Sequence, residues 1–302
     1  MVSRRIEGIV PPVITPLNAN GNLDCTALKK HHEYLLKNGV SALFVLGTTG
    51  EGPALPQRIK EEMIARTVEN CAGRVPVLAG ISADGLEDYL DLANFAARNG
   101  ASGVVAAPPC YLPMEAPELL EFFRILTQEQ PLPLYIYNMP AMTKIEMMPE
   151  LLLEIAALPG VAGYKDSAGN LANFEKVAAE LKQRDDFSLF MGPDALLGKA
   201  LCAGACGGVN SGANVAPQFF VGCYQAYKAG NLEKMAEFQQ KIELLQKIYQ
   251  FRENICCGVA AGLKYALQCL GIAQNHLTRP ALPITANTVI EDFAEMLKEN
   301  LN

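Results

Sequence analysis

Apolar residues along the chain come in short continuous runs rather than in strict alternation with polar ones. The first run is Gly8-Ile9-Val10, continued by Ile14-Thr15, and seven more cover 42–46, 75–79, 103–107, 134–137, 161–165, 187–191 and 207–210. A strand that is apolar at successive positions is buried on both faces, as in a parallel sheet covered by helices. Amphipathic segments lie between the runs. Several close on Gly or Pro, as at Asn38-Gly39, Ala72-Gly73, Asn99-Gly100, Pro159-Gly160 and Ala203-Gly204. Glycine ends helices readily and Asp opens them. Asp24 is thus expected to cap a helix ending at Gly39, and Asp84 another whose first turn carries Glu87 and Asp88.

Eight strand–helix units, at a spacing of about 20–35 residues, predict an α/β fold of the (β/α)₈ TIM-barrel type. Pro11-Pro12 interrupts the first run. Proline removes a ladder donor, so that strand is expected to be short or irregular. After Gly212 the strand signals stop, and helical patterns cover 217–229, 232–249, 255–270 and 287–300. The expected division is a barrel over 1–225 and a helical C-terminal extension over 226–302.

Composition narrows the class. Half of the 302 residues are hydrophobic and the formal net charge is −7. An acidic chain without a basic run argues against nucleic acid or an anionic membrane as partner. No apolar run is long enough to span a bilayer, and no apolar stretch follows Arg4-Arg5 to make a signal peptide. The nine cysteines include no C-x-x-C pair, and Cys202, Cys206 and Cys269 sit in apolar or Ala/Gly-rich stretches. They are expected to be small hydrophobes in a reduced, cytoplasmic protein. His31 and His32 fall in the first helix and His276 in the C-terminal part, so no histidine ends a strand and no metal site is expected.

In a TIM barrel the active site lies at the C-terminal strand ends. There the sequence puts Thr48, Thr49, Gly50, Tyr111, Tyr137, Lys165, Ser167, Asp194, Asn210 and Ser211. One lysine, Lys165, closes an apolar run. A buried lysine holds its charge less readily, and the free amine can attack a carbonyl to give an iminium ion. The competing reading pairs Lys165 with Asp166 or leaves it in solvent. Tyr137 closes the preceding run, where a phenol can relay protons. The segment Gly47-Thr48-Thr49-Gly50-Glu51 offers backbone N–H groups and hydroxyls to a carboxylate.

Gly-Thr-Thr-Gly-Glu at 47–51, Tyr137-Asn138-Met139-Pro140 and Gly163-Tyr164-Lys165-Asp166, in that order, resemble the dihydrodipicolinate synthase/N-acetylneuraminate lyase family. The resemblance extends from Gly8 to Pro283. It implies a barrel with a helical C-terminal part, a dimer or more usually a tetramer, and class I aldolase chemistry without a metal or other cofactor. Lys165 then resembles the Schiff-base lysine and Tyr137 the proton-relay tyrosine. Thr48 and Thr49 resemble a hydroxyl pair, one aiding the tyrosine and one binding the carboxylate of pyruvate. Tyr111 resembles a tyrosine that reaches across a dimer interface.

The chain departs from the pattern of the family it resembles on the side of the second substrate. The synthases carry an arginine two residues after the proline of the Tyr-Asn-x-Pro motif, where this chain has Met142. A thioether cannot replace an arginine fork on a carboxylate. The sialic acid lyases follow their Gly-x-Asp with glutamate, where Gly192-Pro193-Asp194 is followed by Ala195. Pro109-Cys110-Tyr111-Leu112-Pro113 has the spacing of the 2-keto-3-deoxy-sugar-acid aldolases, and Ser167, Asp194, Asn210 and Ser211 offer partners to a polyol. The expected activity is an aldolase or lyase using pyruvate, an aldehyde and a 2-oxo-3-deoxy sugar acid. A synthase, a sialic acid lyase and a non-catalytic binder of 2-oxo acids remain as alternatives.

Overall fold

The computed structural model of the chain describes residues 5–249 and 255–299. Eight strands form one sheet: β1 (Gly8–Ile9), β2 (Leu43–Val45), β3 (Val77–Gly80), β4 (Gly103–Ala106), β5 (Leu134–Asn138), β6 (Val161–Asp166), β7 (Ser188–Met191) and β8 (Gly207–Gly208). Each pairs in parallel with its neighbour, and β1 pairs with β8. The two edges of the sheet meet beyond β1. Pro12 bridges Phe44, Val13 N–H donates to the Phe44 carbonyl at 2.7 Å, and Phe44 N–H donates to the Pro11 carbonyl at 3.1 Å. The architecture is therefore the expected closed barrel.

The proline pair acts as anticipated, for β1 is only two residues long. A buried asparagine supplies what the ladder loses. The Asn214 amide donates to the Pro12 carbonyl at 2.9 Å, and its Oδ1 accepts from Ile14 N–H at 3.0 Å. One side chain thus ties the irregular first segment to the turn after β8.

A helix follows each strand: Cys25–Lys37, Gln57–Cys71, Leu86–Arg98, Ala116–Glu129, Pro149–Ala156, Leu171–Leu181, Leu197–Ala203 and Pro217–Lys228. Asp24 caps the first, accepting from Ala27 N–H at 3.0 Å. Asp84 does not cap the third. Gly85 occupies the cap position, which leaves the Asp84 carboxylate one residue too early, and it accepts from Cys110 Sγ at 3.5 Å instead. Beyond the barrel, Leu232–Leu244 tightens into a 3₁₀ turn at Leu245–Ile248, and Ile255–Cys269 and Thr288–Glu299 complete the extension. The expected last residue of that final helix, Asn300, lies outside the described residues. Cys202 is exposed, contrary to its apolar neighbourhood in sequence. Among the described residues no helix is long and apolar enough to cross a membrane.

The apolar runs are explained by two cores. Leu43, Val45, Ala79, Val104 and Ile136 face outward into the layer shared with the helices. Phe44, Leu78, Val105, Tyr135 and Phe190 face inward and fill the barrel. Successive residues serve different cores, so both must be apolar.

A bulge breaks this alternation in β6. Leu134 pairs with Val161, but Tyr135 already pairs with Gly163. The extra residue, Ala162, belongs to the inner core. The shift brings Tyr137 opposite Lys165, where uninterrupted pairing would have matched it to Tyr164. Gly163 is needed there, because a Cβ would sit 2.4 Å from a ring carbon of Tyr135.

His31 and His32 are fully buried between the first helix and its surroundings. His31 Nε2 donates to the Asn214 carbonyl at 3.0 Å, and His32 Nδ1 meets the Asn70 amide at 3.1 Å. Burial holds the His31 imidazole down at about 4. Burial, with His31 alongside, holds His32 down at about 3.

Two measurements follow from this packing. In the unfolded chain both imidazoles take up protons below about 6.5, while the folded protein keeps them neutral, so the unfolded state binds more protons. Stability present above that pH is then lost as pH falls, by about 1.4 kcal/mol per unit for each histidine. Urea unfolding between pH 7 and 5 should show a shallower loss for His31→Gln than for the parent chain, and parallel slopes would refute it. Gly163→Ala should cost about 1–3 kcal/mol by overpacking against Tyr135, read from the same urea curves.

Candidate active site

Lys165 and Tyr137 are the penultimate residues of β6 and β5. The bulge sets them side by side, both pointing inward. Lys165 is 5% exposed. Its Nζ lies 3.8 Å from the centre of the Tyr137 ring and 5.1 Å from that of Phe44. Asp166 is not its partner. That carboxylate points outward, accepting from Tyr164 Oη at 2.8 Å, Ala168 N–H at 3.2 Å and Asn138 Nδ2 at 3.2 Å. Burial raises the Asp166 carboxyl above the usual carboxylate range, against these hydrogen bonds. Among the described residues Lys165 forms no ion pair, so its amine is presented to the cavity beside aromatic faces rather than to a counter-charge.

The loop after β2 brings two hydroxyls to the same place. Thr48 Oγ1 lies 3.2 Å from Tyr137 Oη, and Thr49 Oγ1 lies 2.7 Å from Ser211 Oγ. The loop is a forced conformation. Leu46 and Glu51, at its two ends, are non-glycine residues with φ of 63° and 57°, a region side chains with a Cβ avoid. Contacts on all sides hold it. Gly50 passes so close to the first segment that a Cβ would lie 2.6 Å from the Val13 carbonyl oxygen, and Thr15 Oγ1 donates to the Gly50 carbonyl at 2.7 Å. Glu51 turns its carboxylate toward the C-terminal extension, where Lys264 Nζ pairs with it and Thr278 donates both N–H and Oγ1 at 2.8 Å.

Asp194, after β7, forms the opposite wall. Its Oδ2 accepts from Tyr249 Oη at 2.9 Å and from Gly212 N–H at 3.0 Å. Burial pushes its carboxyl up to about 6, while those hydrogen bonds pull the other way.

These groups enclose a cavity of about 260 Å³ lined by Thr48, Thr49, Tyr137, Lys165, Asp194 and Ser211, with Ser167 on its rim. A second cavity of about 480 Å³ shares Thr48, Tyr137 and Met139 with it and continues to Cys110 and Met142. Three of the residues singled out in the sequence stand apart. Gly50 contributes backbone only. Asn210 is fully buried, and its amide is spent on the Met191 and Gly192 carbonyls at 3.3 and 3.0 Å. Tyr111 is 83% exposed on the loop after β4 and lines neither cavity. The sequence reading missed Gln246, Tyr249 and Val259, which the C-terminal extension adds to the smaller cavity. They follow no strand, so nothing in their spacing marked them.

A small cavity holding one lysine amine, a phenol in hydrogen-bond contact with a hydroxyl, and a further pair of hydroxyls can bind a small acid and move protons next to a carbonyl carbon. The comparisons agree with that chemistry. The chain matches the model of the dihydrodipicolinate synthetase family over residues 5–300. A dihydrodipicolinate synthase from Bacteroides thetaiotaomicron has the same fold, with a TM-score of 0.90 and 38% identity, covering 98% of this chain and 99% of its own. A prophage protein of that family from Escherichia coli K12, solved in complex with pyruvate, superposes with a TM-score of 0.88 at 26% identity, covering 97% of this chain and 98% of its own. A probable 2-dehydro-3-deoxy-D-pentonate aldolase of Escherichia coli K12 is 30% identical over 281 residues, 92% of each chain. With its barrel, its strand-end residues and its full-length match, the chain belongs to the dihydrodipicolinate synthetase family, a family of lyases of the aldolase type.

Proposed function

We propose that the chain is a class I aldolase that forms a Schiff base between Lys165 and a 2-oxo acid, and that it acts on a 2-oxo-3-deoxy sugar acid. The observation that carries the first part is the pairing of Lys165 with Tyr137 in a closed barrel mouth. In the cleavage direction the Lys165 amine adds to the C2 carbonyl. The carbonyl oxygen takes one proton from the amine and one from the Tyr137 phenol and leaves as water, so that a protonated imine and a phenolate remain. The proton of the C4 hydroxyl passes to the Tyr137 phenolate, with Thr48 in contact at 3.2 Å. The C3–C4 electron pair moves to the imine nitrogen, releasing the aldehyde and leaving an enamine. Tyr137 then returns the proton to C3, and water frees pyruvate and the lysine, one of its protons going to the amine and the other restoring the Tyr137 phenol. Thr49, with Ser211, is suited to hold the acid's carboxylate through hydroxyl donors, and Gly50 lends backbone to that loop.

The larger cavity bears on the second substrate. Met142 and Met139 stand there with Lys60, and among the described residues no arginine lines it. A second carboxylate would find no bidentate partner, which favours an uncharged polyol over the charged amino aldehyde of the synthases. Asp194 and Ser167 offer acceptors and a hydroxyl to such a chain, while Asn210 supports their strand ends. The relative named as a 2-dehydro-3-deoxy-D-pentonate aldolase points the same way. Tyr111 is exposed in the single chain, which supports a role for it in a neighbouring copy of a homodimer or homotetramer. The reaction needs no metal or other cofactor, and we assign the enzyme to the cytoplasm.

Intact mass after pyruvate and borohydride should show one reduced adduct on the parent chain and none on folded Lys165→Ala. An unmodified parent chain would sink the mechanism and leave a 2-oxo-acid-binding protein. Tyr137→Phe should still form the adduct, but exchange of the pyruvate C3 protons in D₂O should slow by about 10²–10⁴-fold. Exchange at the parent rate would remove Tyr137 from the proton path.

A further inference from the structure

Lys264 lies on the helix Ile255–Cys269 and is fully buried, a costly place for an ammonium group. Its Nζ donates to Glu51 Oε2 and, at 2.8 Å, to the His276 carbonyl. Glu51 Oε1 accepts from Thr278 N–H and Thr278 Oγ1, both at 2.8 Å. Both charges are thus met by hydrogen bonds as well as by each other. This cluster lines neither of the two cavities that share Tyr137. It does sit at one end of the loop that carries Thr48 and Thr49. Within that loop Glu51 N–H donates to the Thr48 carbonyl at 3.0 Å, and Gly52 N–H donates to the Gly47 carbonyl at 3.1 Å. A shift at Glu51 therefore moves the residue whose hydroxyl contacts Tyr137. The left-handed φ of Glu51 and of Leu46 means that the loop does not hold this shape by itself.

We infer that Lys264, Glu51 and Thr278 are positioning residues: a buried ion pair from the C-terminal extension clamps the threonine loop and so sets the Thr48–Tyr137 contact on which proton transfer depends. The kinetic part of this inference rests on the aldolase reading above; the geometric part does not.

The test uses Glu51→Gln/Lys264→Met, which removes both charges together and so leaves neither unpaired, and Thr278→Val, which deletes one hydroxyl donor and keeps the pair. Thr278→Ser is the conservative control. Two readouts are taken at a temperature where circular dichroism shows each protein folded. One is the rate of pyruvate C3 proton exchange in D₂O. The other is the Tyr137 signal in the NMR spectrum of protein labelled at the tyrosine ring Cζ, assigned with Tyr137→Phe. With the clamp released, the borohydride-trapped pyruvate adduct should still form fully. Exchange should slow by about 10–100-fold in the double variant, the scale of an ångström-level misplacement. It should slow less in Thr278→Val and recover in Thr278→Ser, and the Tyr137 signal should move in step. A folded double variant and Thr278→Val that both keep the parent exchange rate and the parent Tyr137 signal would overturn the inference and reduce the cluster to a stabilising contact. If the parent chain itself forms no adduct, the aldolase reading fails, and the Tyr137 signal alone decides whether the clamp sets that contact.

Discussion

One extra residue in β6 governs the rest of the site. In a parallel sheet, neighbouring strands hold their residues at fixed heights, and a slip of one position turns a side chain to the other face. The bulge between Val161 and Gly163 makes that slip once, below the mouth of the barrel. Above it, Lys165 and Tyr137 share both height and face. Immediately past it, in the first shifted pair, the inward ring of Tyr135 occupies the space that Gly163 leaves open. The packing of Tyr135 against Gly163 and the alignment of Tyr137 with Lys165 are thus two results of the same irregularity.

Around this pair the molecule divides its work. The strands fix the lysine and the phenol with backbone hydrogen bonds, which leave little freedom. Loops then bring in hydroxyls, and each loop is held by side chains from far along the chain. Asn214 ties the proline-interrupted first segment to the turn after β8, and Thr15 in that segment holds the carbonyl of Gly50. Asp194 is fastened by Tyr249 and by the backbone at Gly212. These long-range contacts to Asn214, Thr15 and Asp194 specify loop shape more than they add net stability.

The barrel was legible in the sequence because its cause is local: apolar runs of strand length, interrupted by Gly and Asp. Lys165 and Tyr137 were legible as the ends of two such runs. Their exact match in height was not, because the bulge depends on the fit of Tyr135 against Gly163 and has no mark in the hydrophobic pattern. Asp84 was assigned a cap it does not make, since the same carboxylate chemistry suits two positions one residue apart. Gln246 and Tyr249 stayed hidden for a different reason. They sit in a helical stretch whose periodicity describes packing, and only the folded chain brings that stretch over the mouth of the barrel.

The ion pair between Lys264 and Glu51 spans 213 positions of sequence, and the Thr278 contacts to Glu51 span 227. A chain made from its N-terminus has all its strands before it has either partner. On the ribosome, then, a nearly complete barrel would carry its lysine with the threonine loop still ungripped. The walls of the cavity around Lys165 are thus completed late in synthesis, when the last helices fold back, so that translation order itself sets when the pocket closes.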